Sequence, residues 1–228
     1  MLDIERLESQ RLQTEPYCWA FIDRLFTPAD AAALATTFPR DHFKKVAGYD
    51  GEKEYEYVAR SLIHMGASTP SHVEALSASW QQLAADWLSA RYRTAMAHLT
   101  GIDLGEAQME VNAVHYGSGA RLGPHLDLRE KIATQVLDFN ETWNAEDGGC
   151  IDILRSSNAG DVAAQVTPIV GHSVILVRSD RSWHTVTRVV DGCHRSRRSL
   201  NVIFHLPGSV STMWPPGDAA PVGPYEGD

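Results

Sequence analysis

The chain has 228 residues, 43% hydrophobic and 21% charged, which is ordinary for a globular domain with a real core. Its 29 acids against 20 bases give a net charge of −9, which excludes a basic nucleic-acid groove. No apolar run approaches the ~18 residues of a membrane span, and the charged start lacks a signal-peptide core. Three widely spaced cysteines, Cys18, Cys150 and Cys193, form neither a disulfide framework nor a Cys-x-x-Cys clip, so a reducing cytoplasm is expected.

In chain order, Tyr17 to Ile22 is short, aromatic and apolar, and reads as a strand. Pro28 to Phe38 reads as a helix with Thr27 as its N-cap. From Ser71 to Leu99, Leu76, Trp80, Leu83, Trp87 and Leu88 recur at helical steps, so one long helix with a buried face is expected, ended by Gly101. The tryptophans read as core. Thereafter the period becomes two. Met109 to Tyr116, Ile132 to Phe139, Cys150 to Leu154, Ser173 to Val177 and Arg197 to Leu206 read as strands, separated by Gly- and Asn-rich turns. One domain over 1–228 is expected, mainly β with flanking helices. Residues 1–105 form a helical support, 106–206 a sandwich or jelly roll, and 207–228 an irregular tail in which Trp214 is anchored.

The strand half carries the chemistry. His125-Leu126-Asp127 is expected to open a strand after a Gly-rich turn, with His184 on a later strand and Trp183 packed beside the site. Residues i and i+2 of a strand share a face, so His125 and Asp127 can grip one ion, and His184 completes a two-histidine, one-carboxylate set that leaves one side of the metal open. The triplet alone is a weak signal in a chain with 10 histidines, and the surroundings must support it. On the last strand, Arg197, Ser199 and Asn201 share the face opposite Leu200, Val202 and Phe204. If the apolar face packs under the helices, Arg197 points inward. A buried Arg demands an anion, and its fork suits a carboxylate. A structural ion pair is the competing reading. On the first core strand Glu110, Asn112, Val114 and Tyr116 share the polar, inward face. A buried Glu110 needs a positive partner, which a substrate ammonium supplies; an exposed edge strand is the other reading.

These residues carry a resemblance. Tyr116-Gly117-Ser118-Gly119, His125-Leu126-Asp127, Gly148-Gly149, Trp183-His184 and Arg197-Arg198-Ser199 match, in order, the Fe(II)/2-oxoglutarate-dependent oxygenase superfamily, over about residues 108 to 206. The resemblance implies a double-stranded β-helix (a cupin-like jelly roll). It implies Fe(II) on His125, Asp127 and His184, with 2-oxoglutarate and O2 as co-substrates. Arg197 and Ser199 would hold the distal carboxylate of 2-oxoglutarate, and Tyr116 would donate a hydrogen bond to it. More narrowly, the chain is similar to the free-amino-acid (lysine) radical halogenases and their hydroxylating relatives. In those halogenases a Gly replaces the carboxylate ligand. Asp127 is present here, so hydroxylation is implied. Glu110 matches the acid that holds the substrate amine, Arg60 takes the substrate carboxylate, and Asn112, Asn201 and Trp214 complete the substrate set. The implied function is hydroxylation of a free, cationic, lysine-like L-amino acid, with no nucleic-acid or membrane partner; the oligomeric state is open, a homodimer included. Three alternatives stand beside it. They are the same chemistry on a peptidyl, carrier-bound or natural-product intermediate, a non-catalytic cupin-like binding module, and a zinc hydrolase, which would leave Arg-x-Ser without a role.

Overall fold

A computed structural model describes residues 1–48, 54–225 and 227. Eleven strands form one continuous antiparallel system. They are β1 (Trp19–Ile22), β2 (Lys44–Gly48), β3 (Tyr55–Ile63), β4 (Gln108–Tyr116), β5 (Arg121–His125), β6 (Lys131–Asp138), β7 (Ile151–Leu154), β8 (Val162–Val166), β9 (Ser173–Val177), β10 (His184–Val186) and β11 (Arg197–His205). One arm runs β1-β9-β6-β11-β4 and the other β5-β10-β7-β8, with β3 joining them and β2 hydrogen-bonded to β3. The sheet is nearly closed on itself, as in a double-stranded β-helix.

Period-two patterning decides which face turns in. Across the β4–β11 ladder, Tyr116 lies opposite Arg197, Val114 opposite Ser199, Asn112 opposite Asn201 and Glu110 opposite Ile203. These are the inward residues. The intervening set, Val111 and Ala113 with Leu200, Val202 and Phe204, joins the main apolar cluster under the helices. Helices α1 (Ile4–Glu8), α2 (Pro28–Thr36), α3 (Ala78–Leu88) and α4 (Ala90–Thr100) supply the other half of that cluster, including the fully buried Trp80 and Trp87. The Trp80 indole donates to the Leu34 carbonyl at 3.1 Å, so its one polar atom is satisfied inside the core. Thr27 caps α2 by accepting from the Asp30 amide.

Three sequence expectations need correction. The first hundred residues contain β2 and β3 in addition to the expected strand, β1, and the helices. Most of β3 is buried on both faces, so its sequence lacks the alternation that marks a half-buried strand. The expected single helix over 71–99 is a short 3₁₀ turn at Val73–Ala75 followed by α3 and α4. Ser89 breaks it. Its backbone is extended (ψ 146°), its amide bonds back to the Asp86 carbonyl, and its side chain caps α4 by accepting from the Tyr92 amide. The apolar spacing runs through the break, which hid it. Finally, His125 closes β5 and does not open a strand; Asp127 lies in the connection to β6.

Candidate functional site

Strand pairing builds the centre of the cavity. His184 at the head of β10 lies directly opposite His125 at the end of β5. Their ring centroids are 4.2 Å apart. Asp127 follows two residues after His125, and one ligating atom from each of the three residues lies within 4.8 Å of the others. All three side chains are buried. Each imidazole is oriented through Nδ1, which donates to a carbonyl two residues earlier: His125 to Gly123 at 2.8 Å, and His184 to Ser182 at 2.9 Å. That fixes the tautomer and makes Nε2 the lone-pair nitrogen of both rings, the atom a metal takes. Asp127 is held at both oxygens. Lys131 donates to Oδ1 at 2.6 Å and Thr134 to Oδ2 at 2.9 Å. Burial pushes the Asp127 carboxyl up, but Lys131, joined by the two histidines when they are protonated, outweighs it and holds it well below the usual carboxylate range. Two neutral imidazoles and an ionised carboxylate converging on one side are the donor set that suits a ferrous ion with open positions.

Around this centre is a cavity of about 230 Å³, lined by Tyr116, Lys131, Thr134, Arg197, Asn201, Ile203, Glu110 and His205 among others. Arg197 is 1% exposed, whereas its neighbour Arg195 reaches out to Asp147 and stacks on Trp143. Arg197 Nη1 donates to Ser199 Oγ at 2.9 Å and Nη2 to Asp138 Oδ1 at 2.9 Å. Gly148 and Gly149 admit this packing. Both have positive φ, and a side chain at Gly148 would strike the Arg188 carbonyl, while one at Gly149 would press on Arg197. Burial raises the Tyr116 phenol to about 12, opposed by Arg197, so it stays a donor at neutral pH.

The opposite wall carries Glu110. It accepts from Ser211 at 2.7 Å, and its other oxygen lies 3.3 Å from His205 Nε2. Burial pushes this carboxyl up, but the nearby His205 ring and the Ser211 hydroxyl outweigh it and keep it below its ordinary value. Beside it the Trp214 indole donates to Asn112 Oδ1 at 2.7 Å. The tail segment 211–214 therefore covers this end of the cavity, and Thr212 and Met213 line it. Lys44 holds the tail from outside, through the Met213 carbonyl, the Asp218 carboxylate and the Trp214 ring.

The structure thus brings His125, Asp127, His184, Arg197, Tyr116, Glu110 and Asn201 to one cavity. Ser199 reaches it through Arg197. Asn112 and Trp214 meet each other at its edge and are absent from its lining. Arg60 does not reach it. It lies opposite Ala113 in the β3–β4 ladder and therefore on the outward face, 3.4 Å from Asp41 and bonded to the His72 carbonyl. Trp183 is half-buried and likewise absent from the lining. Sequence reasoning missed Lys131, Thr134, Asp138, His205 and Ser211. The period-two rule applied to β6 would have turned Thr134 and Asp138 inward, and applied to the end of β11 it would have turned His205 inward. Nothing local marks Ser211.

A nearly closed strand barrel with this triad between its arms has a known counterpart. Residues 111–205 match the 2OG-Fe(II) oxygenase superfamily. That family uses Fe(II), 2-oxoglutarate and O2, and the match indicates a dioxygenase. Solved structures support the fold. A prolyl-4-hydroxylase of Pseudomonas putida is 20% identical with a TM-score of 0.57, over 90% of this chain and 97% of that one. A prolyl hydroxylase from Trichoplax adhaerens, in complex with a hypoxia inducible factor peptide fragment, is 14% identical with a TM-score of 0.53, over 90% and 87%. The non-heme alpha ketoglutarate dependent epimerase SnoN from nogalamycin biosynthesis is 13% identical with a TM-score of 0.56, over 96% and 89%. No curated protein matches the chain. Among the described residues, no helix is long and apolar enough to cross a membrane.

Proposed function

We propose that this chain is an Fe(II)/2-oxoglutarate-dependent hydroxylase of a small cationic molecule, a free L-amino acid of the lysine, ornithine or arginine type. The observation that carries the substrate class is Glu110, an ionised carboxylate buried in the wall of the cavity that also holds His125, Asp127 and His184. A substrate ammonium is the natural partner for it. The cavity's size points the same way. About 230 Å³ must take both the co-substrate and the substrate, which is below the roughly 300–1,000 Å³ of drug-sized pockets.

In this reading His125 and His184, through Nε2, and Asp127 hold the iron. Arg197 and Ser199 hold the distal carboxylate of 2-oxoglutarate, and the Tyr116 phenol donates to it. When bound, iron with 2-oxoglutarate and O2 supplies the oxidising chemistry, converting C–H to C–OH with release of succinate and carbon dioxide. The protein positions and shields. Glu110 and Asn201 orient the amine end of the substrate, and Asn112 and Trp214 fix the tail that keeps water from that end. Lys131, the cation beside Asp127 on the cavity wall, takes the substrate carboxylate in place of the outward-facing Arg60.

The likeness to a prolyl hydroxylase solved with a peptide favours a second reading, hydroxylation of a polypeptide residue on the same iron centre. The experiment offers free lysine, ornithine and arginine, and a peptide library, with Fe(II) and 2-oxoglutarate, and reads a mass gain of one oxygen. Oxygen gain on a free cationic amino acid, lost on Glu110→Gln, is the expected result. Oxygen gain confined to peptides overturns the free-substrate reading.

A further inference from the structure

Arg197 already has an anion. Asp138, at the end of β6, is paired with it at 2.9 Å, and the side chains are 0% and 1% exposed respectively. Asp138 Oδ2 and Arg197 Nε make no hydrogen bond among the described residues. If Arg197 anchors 2-oxoglutarate, as proposed above, a second carboxylate must approach the same guanidinium inside the barrel. Two carboxylates on one cation in a dry interior do not both stay ionised, because the repulsion between them is barely screened. One takes a proton and becomes a donor to the other.

We propose that Asp138 and the distal carboxylate of 2-oxoglutarate share Arg197, and that Asp138 takes one proton from solvent as the co-substrate binds. The protonated Oδ then donates to the incoming carboxylate, while Arg197 and Ser199 donate to it from β11. Asp138 is thus a specificity-determining residue that couples co-substrate affinity to pH.

The groups facing Asp138 favour its being the one to protonate. Burial has already pushed its carboxyl up to about 6, against the opposing pull of Arg197 and His172. From β11 it faces Arg197 and Ser199. From the connection before β9 it faces His172, whose carbonyl accepts the Asp138 amide at 3.0 Å. From the residue just before β7 comes the Cys150 thiol, itself pushed up by burial and therefore neutral. His172 is the other histidine or carboxylate that faces Asp138 here, so it needs its own control.

The test is calorimetry of 2-oxoglutarate binding to the Mn(II)-loaded protein, in buffers of differing ionisation heat, at pH 7 and pH 8. The expected result is uptake of about one proton and a Kd that rises close to tenfold over that unit. His172→Gln should keep both effects. Asp138→Asn should abolish both and bind more tightly than wild type at pH 8. Binding with no proton uptake and an unchanged Kd overturns the proposal. So does an uptake that survives Asp138→Asn but is lost in His172→Gln. If Asp138→Asn does not fold, wild type and His172→Gln decide the matter. Failure of the wild type to bind 2-oxoglutarate at either pH would instead refute the co-substrate role of Arg197, and this proposal with it.

Discussion

The two ends of the cavity are built in different ways. At the metal end the supports are local: His125 leans on Gly123, His184 on Ser182, and Asp127 on Lys131 and Thr134, within seven residues along the chain. At the Glu110 end they are remote: Glu110 is held by Ser211, 101 residues away, and Asn112 by Trp214, 102 residues away. The Arg197 anchor lies between, with Asp138 at a separation of 59. Local supports close short loops and stand once β5, β6 and β10 are in register. Remote supports exist only while the tail is docked. The His125–Asp127–His184 end is therefore preorganised by its own near neighbours, whereas the Glu110 end depends on the docking of segment 211–214.

Substitutions separate the two ends, and the metal end should show the largest effect. Asp127→Ala leaves two imidazoles for the metal and should abolish 2-oxoglutarate turnover; measurable succinate formation in that variant would mean that the ligand set is wrong. Arg197→Ala comes next. Truncating one member of a buried charge pair costs about 2–5 kcal/mol, so the 2-oxoglutarate requirement should rise on the order of 10²-fold. Arg195→Ala, at the surface, should leave it unchanged, and equal effects would show that the wrong arginine was chosen. Glu110→Gln removes a charged hydrogen-bond partner worth about 1.5–3 kcal/mol, so KM for a cationic substrate should rise roughly 10- to 100-fold. Substrate-free decay of 2-oxoglutarate should continue, since the metal end does not depend on Glu110. A loss of that decay equal to the loss of hydroxylation would erase the distinction between the ends. The smallest effect is expected from Thr134→Val, which removes one of the two bonds orienting Asp127. Fe(II) affinity should fall by about tenfold, measured by equilibrium dialysis, and no change would assign Thr134 to packing alone.

The same contrast explains what could be read from the chain. His125, Asp127 and His184 were legible because their spacing reflects strand periodicity and their supports are near neighbours. The inward faces of β4 and β11 were legible for the same reason, since Leu200, Val202 and Phe204 alternate with Arg197, Ser199 and Asn201. Arg60 was misplaced because alternation within β3 is masked by burial on both faces, so its direction had to come from pairing with Ala113. The break at Ser89 was hidden because the apolar positions stay in phase across it. Ser211 and Met213 carry no pattern at all; only the path of the tail across the cavity brings them to it.

The central claim is that this cavity spends 2-oxoglutarate to put an oxygen atom on a substrate. It is tested most directly by supplying isotopically labelled O2 to the Fe(II)-loaded protein with 2-oxoglutarate and a cationic amino acid, and measuring succinate and product together. The account predicts succinate and a labelled hydroxylated amino acid in equal amounts from the wild type, and neither from His184→Ala. Labelled product that persists in His184→Ala, or a wild type that forms no succinate with any amino acid or peptide, would contradict it.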